Sequence, residues 1–192
     1  PFGERTYDRQ SVQKDFHGDP ITPLPDNEGA KKRVATVSLA GCFGCHMSML
    51  DIDMGILAVA DLVAFDKSPL TDIKNFSGRC QLGLIEGGCC NDHDIEVLHA
   101  FRKMCDVLVV VGECAVWGGV PAMRNTIPLR ECLEEAYLNS VTSEVGETIV
   151  PYHQDLPKLL DRVYPCSEIV KVDYFIPGCP PSPEHIWKAV KS

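Results

Sequence analysis

Apolar and polar positions along this chain alternate between two rhythms. Residues 34–39 (VATVSL) form a short β-prone run that stops at the glycine of Gly41-Cys42-Phe43-Gly44-Cys45. Residues 48–62 then place Met49, Ile52, Ile56, Leu57 and Val59 on one face of an expected helix. Residues 82–85 predict a second strand, closed by Glu86-Gly87-Gly88-Cys89-Cys90. A helix is expected over 92–104, opened by Asn91 or Asp92 as its N-cap. The apolar run 107–111 is long enough for a buried parallel strand and ends at Gly112-Glu113-Cys114. Residues 117–125 and 146–157 read as loop, 129–138 as helix, and 169–176 as a last strand before Pro177-Gly178-Cys179-Pro180-Pro181. A terminal helix starts at Ser182, with Pro183 at its first position and Lys188 and Lys191 in its last turn.

Strands alternating with helices predict an α/β fold: a doubly wound parallel sheet with helices on both faces. Ahead of it, residues 1–32 show neither rhythm and read as an extended arm. Residues 33–192 then make one domain.

Composition narrows the function classes. A chain of 192 residues with 45% hydrophobic and 23% charged positions carries a single globular core. Its net charge of −9 argues against a nucleic-acid or anionic-membrane partner, because either needs a basic surface. The longest strongly apolar run, 107–111, is far short of the roughly 20 residues that span a bilayer. Residues 1–18 hold no apolar segment and no paired arginines, so the expected location is the cytoplasm.

The ten cysteines carry the chemistry. Three expected strands end in a glycine followed at once, or one residue later, by a cysteine: Gly41-Cys42, Gly112-x-Cys114 and Gly178-Cys179. Sites in open parallel sheets form at the carboxyl ends of the strands, so these loops should converge. Cys42 and Cys45, in C-x-x-C spacing, can aim two sulfurs at one centre, with Cys114 and Cys179 completing a tetrahedral set for a cubane. A zinc site and a thiol–disulfide pair remain open on spacing alone. Cys89 and Cys90 are awkward as ligands because adjacent cysteines rarely bind one metal, and Cys80, Cys105, Cys132 and Cys166 read as core or surface thiols. His46 reads as the residue beginning a helix, and Glu86 and Glu113 as acceptors for loop backbone. No nucleophile elbow, P-loop or dinucleotide-binding glycine motif is present.

Gly41-Cys42-x-x-Cys45, Glu86-Gly87, Gly112-x-Cys114-Ala115 and Pro177-Gly178-Cys179-Pro180-Pro181, in this order, resemble the small subunit of nickel–iron hydrogenases from about Arg33 onward. The resemblance implies a flavodoxin-like domain with one [4Fe–4S] cluster on Cys42, Cys45, Cys114 and Cys179. It also implies a nickel–iron centre in a separate large subunit. Gly-Cys-Phe-Gly-Cys-His, and a chain stopping soon after Gly-Cys-Pro-Pro, are similar to the cytoplasmic NAD-reducing group. In that group the cluster feeds diaphorase subunits carrying flavin and further iron–sulfur clusters. FMN on this chain is conceivable from such a fold, but no residue argues for it. The alternative is the cluster-bearing subunit of complex I-type quinone oxidoreductases, whose first motif typically has adjacent cysteines. A free-standing thiol–disulfide protein is the third reading.

Overall fold

The computed structural model describes residues 31–142 and 149–191. The expected arm falls almost wholly in residues 1–30, outside the described residues. Strand β1 (Lys32–Ser38) runs into helices α1 (Gly44–Leu50) and α2 (Gly55–Leu62), followed by the short β2 (Val63–Phe65). Next come β3 (Cys80–Glu86), β4 (Cys89–Asn91), α3 (Asp92–Met104) and β5 (Cys105–Val111). Helices α4 (Glu113–Trp117) and α5 (Leu129–Tyr137) flank a 3-10 segment, Val120–Thr126. Strands β6 (Leu159–Tyr164) and β7 (Tyr174–Ile176) and helix α6 (Pro183–Lys191) complete the described chain.

Five strands form one parallel sheet in the order β2-β1-β3-β5-β7, the flavodoxin-like winding. Side chains alternate across it, as strand geometry requires. Ala35, Ile85, Leu108 and Val110 face one core with Leu98 and Phe101 of α3 and Val116 of α4. Val34, Leu84, Val109 and Val111 face the other with Met49 of α1, Val59 of α2, and Ile186 and Trp187 of α6. Helices therefore cover both faces, as expected. Asn91 caps α3 by accepting the Asp94 N–H at 2.8 Å, with Asp92 and Asp94 in the first turn and Arg102 and Lys103 in the last.

Four elements depart from the sequence reading. The single helix expected over 48–62 is two helices, because Asp53 adopts φ +53 between them, a conformation aspartate tolerates better than most residues. The helical register also starts earlier, at Gly44. The strand expected over 169–176 is cut to Tyr174–Ile176. Asp173 is the reason: its backbone N–H donates to the Leu108 carbonyl, and its Oδ2 accepts the Leu108 N–H at 2.8 Å, so a side chain ends the ladder. Ile169, Val170 and Val172 read as strand because they pack against the α3-side core. Finally, β4 and β6 pair antiparallel outside the main sheet, and the expected loop at 117–125 is largely 3-10 helix. Among the described residues, no helix is long and apolar enough to cross a membrane.

Candidate functional site

All three cysteine-bearing turns leave the carboxyl edge of the sheet, and hydrogen bonds lash them together. Gly112 N–H donates to Ile176 O at 2.8 Å, and Glu113 N–H to Gly178 O at 2.9 Å. Glu113 Oε1 in turn accepts the Gly178 N–H at 3.0 Å, so the Cys114 and Cys179 loops are doubly joined. Ser48 Oγ donates to Pro181 O at 2.6 Å, tying α1 to the Cys179 loop. Trp187 Nε1 donates to Met49 O at 2.8 Å and fixes α6 on the same end of α1.

Two of the four thiols, Cys45 and Cys114, are raised. Cys45 is pushed up to about 12 by burial, then by the neighbouring Glu86 carboxylate, Cys114 and Cys42. Cys114 is raised by burial and then by Cys179 and Cys42. Each sulfur is free of a disulfide, and Cys42 and Cys179 are exposed. Among the described residues, no three His, Cys, Asp or Glu side chains converge closely enough to hold a single metal ion.

Glycines keep this space open. A Cβ on Gly112 would stand 2.3 Å from Cys45 Sγ, one on Gly119 3.1 Å from Cys114 Sγ, and one on Gly44 3.1 Å from Cys42 Sγ. Gly112 and Gly119 also hold φ values of +88 and +52, where any side chain is strained. The space beside the Cys42, Cys45 and Cys114 sulfurs is thus left free of side-chain carbon, room that a thiolate-bound group would need. Raised thiols bind only when a metal supplies the positive charge that drives off their protons.

Behind Cys45, Glu86 is 3% exposed. Its Oε1 accepts the Ser38 hydroxyl at 2.7 Å and its Oε2 the His46 backbone N–H at 3.0 Å. Burial pushes its carboxyl up, but hydrogen bonds from His46 and Ser38 hold it below its ordinary value. His46 is buried, with Nε2 2.9 Å from Thr36 Oγ1 and its ring stacked on Phe43. Its Nδ1 lies 3.3 Å from Glu86 Oε1, outside hydrogen-bond geometry. Glu86 and Glu113 thus accept backbone N–H groups, as the sequence suggested. His46 is more than a residue that begins a helix. Thr36 and Ser38 were missed, and the only signal for them was two hydroxyls inside an otherwise apolar strand.

The remaining cysteines lie elsewhere. Cys80 and Cys105 open β3 and β5 and face one another as register partners in the core. Both are core thiols, one of the two placements expected for them. Cys89 is buried and pushed up to about 12 by burial, Asp94 and Cys90. Cys90, half-buried, donates its backbone N–H to Asp94 Oδ2 at 2.8 Å.

Residues 42–192 match the family described as the NADH ubiquinone oxidoreductase 20 kDa subunit. The chain belongs to this family. It is 49% identical to the NAD-reducing hydrogenase HoxS subunit delta of Cupriavidus necator over 179 residues, 91% of this chain and 86% of that one. It is 36% identical over 162 residues to one of the subunits of the F420-non-reducing hydrogenase of Methanothermobacter thermautotrophicus, covering 83% of this chain and 52% of that longer one. A crystal structure of an NAD+-reducing [NiFe]-hydrogenase in the H2-reduced state contains a chain with TM-score 0.81 and 49% identity. The match covers 84% of this chain and 90% of that one. Although the family's description names the quinone-reductase enzyme, these relatives are hydrogenase subunits, and the complex I reading is not favoured.

Proposed function

We propose that this chain is the electron-relaying small subunit of a cytoplasmic NAD-reducing nickel–iron hydrogenase. In this reading one [4Fe–4S] cluster is held by Cys42, Cys45, Cys114 and Cys179. What supports it is that the three turns bearing these cysteines leave one edge of the sheet tied by hydrogen bonds, with glycines beside the Cys42, Cys45 and Cys114 sulfurs. A free thiol–disulfide pair would leave Cys114 and Cys179 beside the C-x-x-C loop without a role.

The cluster, when bound, passes single electrons between a nickel–iron centre in a large subunit and a diaphorase module that reduces NAD+. The chain's own residues hold and shield it. Four cysteines close the coordination shell, which suits electron transfer rather than substrate binding at iron. The buried flank is lined by Cys45 and Glu86, while exposed Cys42 and Cys179 mark the flank that a partner would cover. Beside Cys114, Trp117, Val120 and Met123 are 67%, 68% and 70% exposed, an apolar face suited to the large subunit.

The test is the nickel, iron and acid-labile sulfide content of the anaerobically isolated complex, with H2-dependent NAD+ reduction measured on the same sample. Nickel with iron, sulfide and that activity supports the reading. Iron and sulfide without nickel would move the chain to the quinone-reductase side, and zinc or no metal would remove the cluster.

A further inference from the structure

The cysteine loop between β1 and α1 is shaped in a way its own residues do not account for. Phe43, between the two cysteines, sits at φ +66, a conformation unfavourable to a bulky side chain. As N-cap of α1 it offers no side-chain hydrogen bond. Two residues from outside the turn supply what is missing. Glu86, at the end of β3, accepts the His46 N–H at 3.0 Å and so answers one of the free donors at the start of α1. Its other oxygen is fixed by Ser38 at 2.7 Å, at the end of β1. The His46 ring lies parallel to Phe43, with centroids 4.6 Å apart and planes at 3°, and Thr36 Oγ1 holds its far edge at 2.9 Å. Glu86 and His46 are both almost wholly buried. The backbone direction of the whole Cys42–Cys45 loop is thereby referred back to strands β1 and β3.

We propose that Glu86 and His46 are positioning residues for the cluster. Glu86 anchors the backbone directly after Cys45, His46 clamps Phe43 in its left-handed turn, and together they aim both thiols of the loop at a common centre. This rests on the reading of Cys42 and Cys45 as ligands. Partners that orient metal ligands in this way are commonly worth about 10- to 100-fold in metal affinity or activity.

The test uses the whole complex carrying E86A, E86Q or F43G. It reads iron released to a chelator, together with the midpoint potential of this chain's cluster by EPR-monitored redox titration. E86A should release iron about tenfold faster than wild type. E86Q can still accept the His46 N–H through its amide oxygen, so it should retain iron as wild type does. Its potential should move upward, because a negative charge beside Cys45 is gone. F43G fits the left-handed turn without strain but loses the stack, so it should fold and yet release iron faster. Should E86A fail to assemble, the other two variants decide. Wild-type release in F43G together with an unchanged potential in E86Q overturns the proposal. A wild-type complex devoid of iron and sulfide instead removes the cluster reading beneath it.

Discussion

Gly112 faces the sulfur of Cys45 so closely that a Cβ at this position would stand 2.3 Å from Sγ. The same glycine holds φ +88 and links β5 to β7 through its N–H on Ile176 O. Gly112→Ala therefore adds both backbone strain and a methyl group in the space beside the sulfur. Expected is a folded chain with cluster occupancy down on the order of tenfold, read as iron and sulfide in the assembled complex. Full occupancy in this variant would mean that the open space beside Cys45 is not needed.

The apolar face beside Cys114 should govern assembly. Met123 is 70% exposed, so Met123→Glu is tolerated by the isolated fold yet places a charge where a partner would exclude water. Association with the large subunit should weaken by about 2 kcal/mol, or roughly 30-fold, with the thermal midpoint of the chain itself unchanged. Titrated co-purification or light scattering measures this directly. Undiminished association would place the interface elsewhere.

A third expectation concerns acid stability. Burial pushes the Asp173 carboxyl up, but Arg102 and the Leu108 N–H more than offset this and hold it below its ordinary value. A carboxyl lowered on folding stabilises the fold above its unfolded value, about 3.9, and that contribution disappears as pH falls through the folded value. Asp173→Asn should thus cost on the order of 1 kcal/mol at neutral pH, since the pair is partly exposed. Denaturant melts of variant and wild type should converge in strong acid. A gap that stays constant with pH would show that the carboxylate's charge is not what matters.

Core packing gives a fourth test. Phe101 is fully buried on α3 and meets Phe76 edge-on, with ring centroids 5.0 Å apart and planes at 67°. Phe101→Ala should destabilise the chain by about 3–5 kcal/mol. Calorimetry or chemical denaturation would detect it, and a loss below about 1 kcal/mol would show that the α3-side core closes over the gap.

The parts of the fold that were legible in the sequence are those governed by local rhythm. The run 107–111 and the Asn91 cap needed no tertiary information, because strand burial and helix capping are written in neighbouring residues. What escaped was decided between distant segments. β7 starts no earlier than Tyr174 because Asp173 meets Leu108, a contact 65 positions apart that no periodicity reveals. The β4–β6 ribbon was missed because each strand is short and only the pairing defines it. At the site, the glycine-cysteine endings of three strands pointed to converging loops, and the structure brings those loops together. The roles of Thr36, Ser38 and the His46 ring were hidden, because they depend on which hydroxyls the sheet turns toward α1.

We propose Cys42, Cys45, Cys114 and Cys179 as the holders of one [4Fe–4S] cluster. The most direct test is iron and acid-labile sulfide per complex, isolated anaerobically, for Cys114→Ser and Cys179→Ser against Cys90→Ser. The first two variants should hold about four iron atoms and about four sulfides fewer, and the third should keep wild-type content. Full content in Cys114→Ser and Cys179→Ser, or the loss appearing in Cys90→Ser instead, would contradict this proposal.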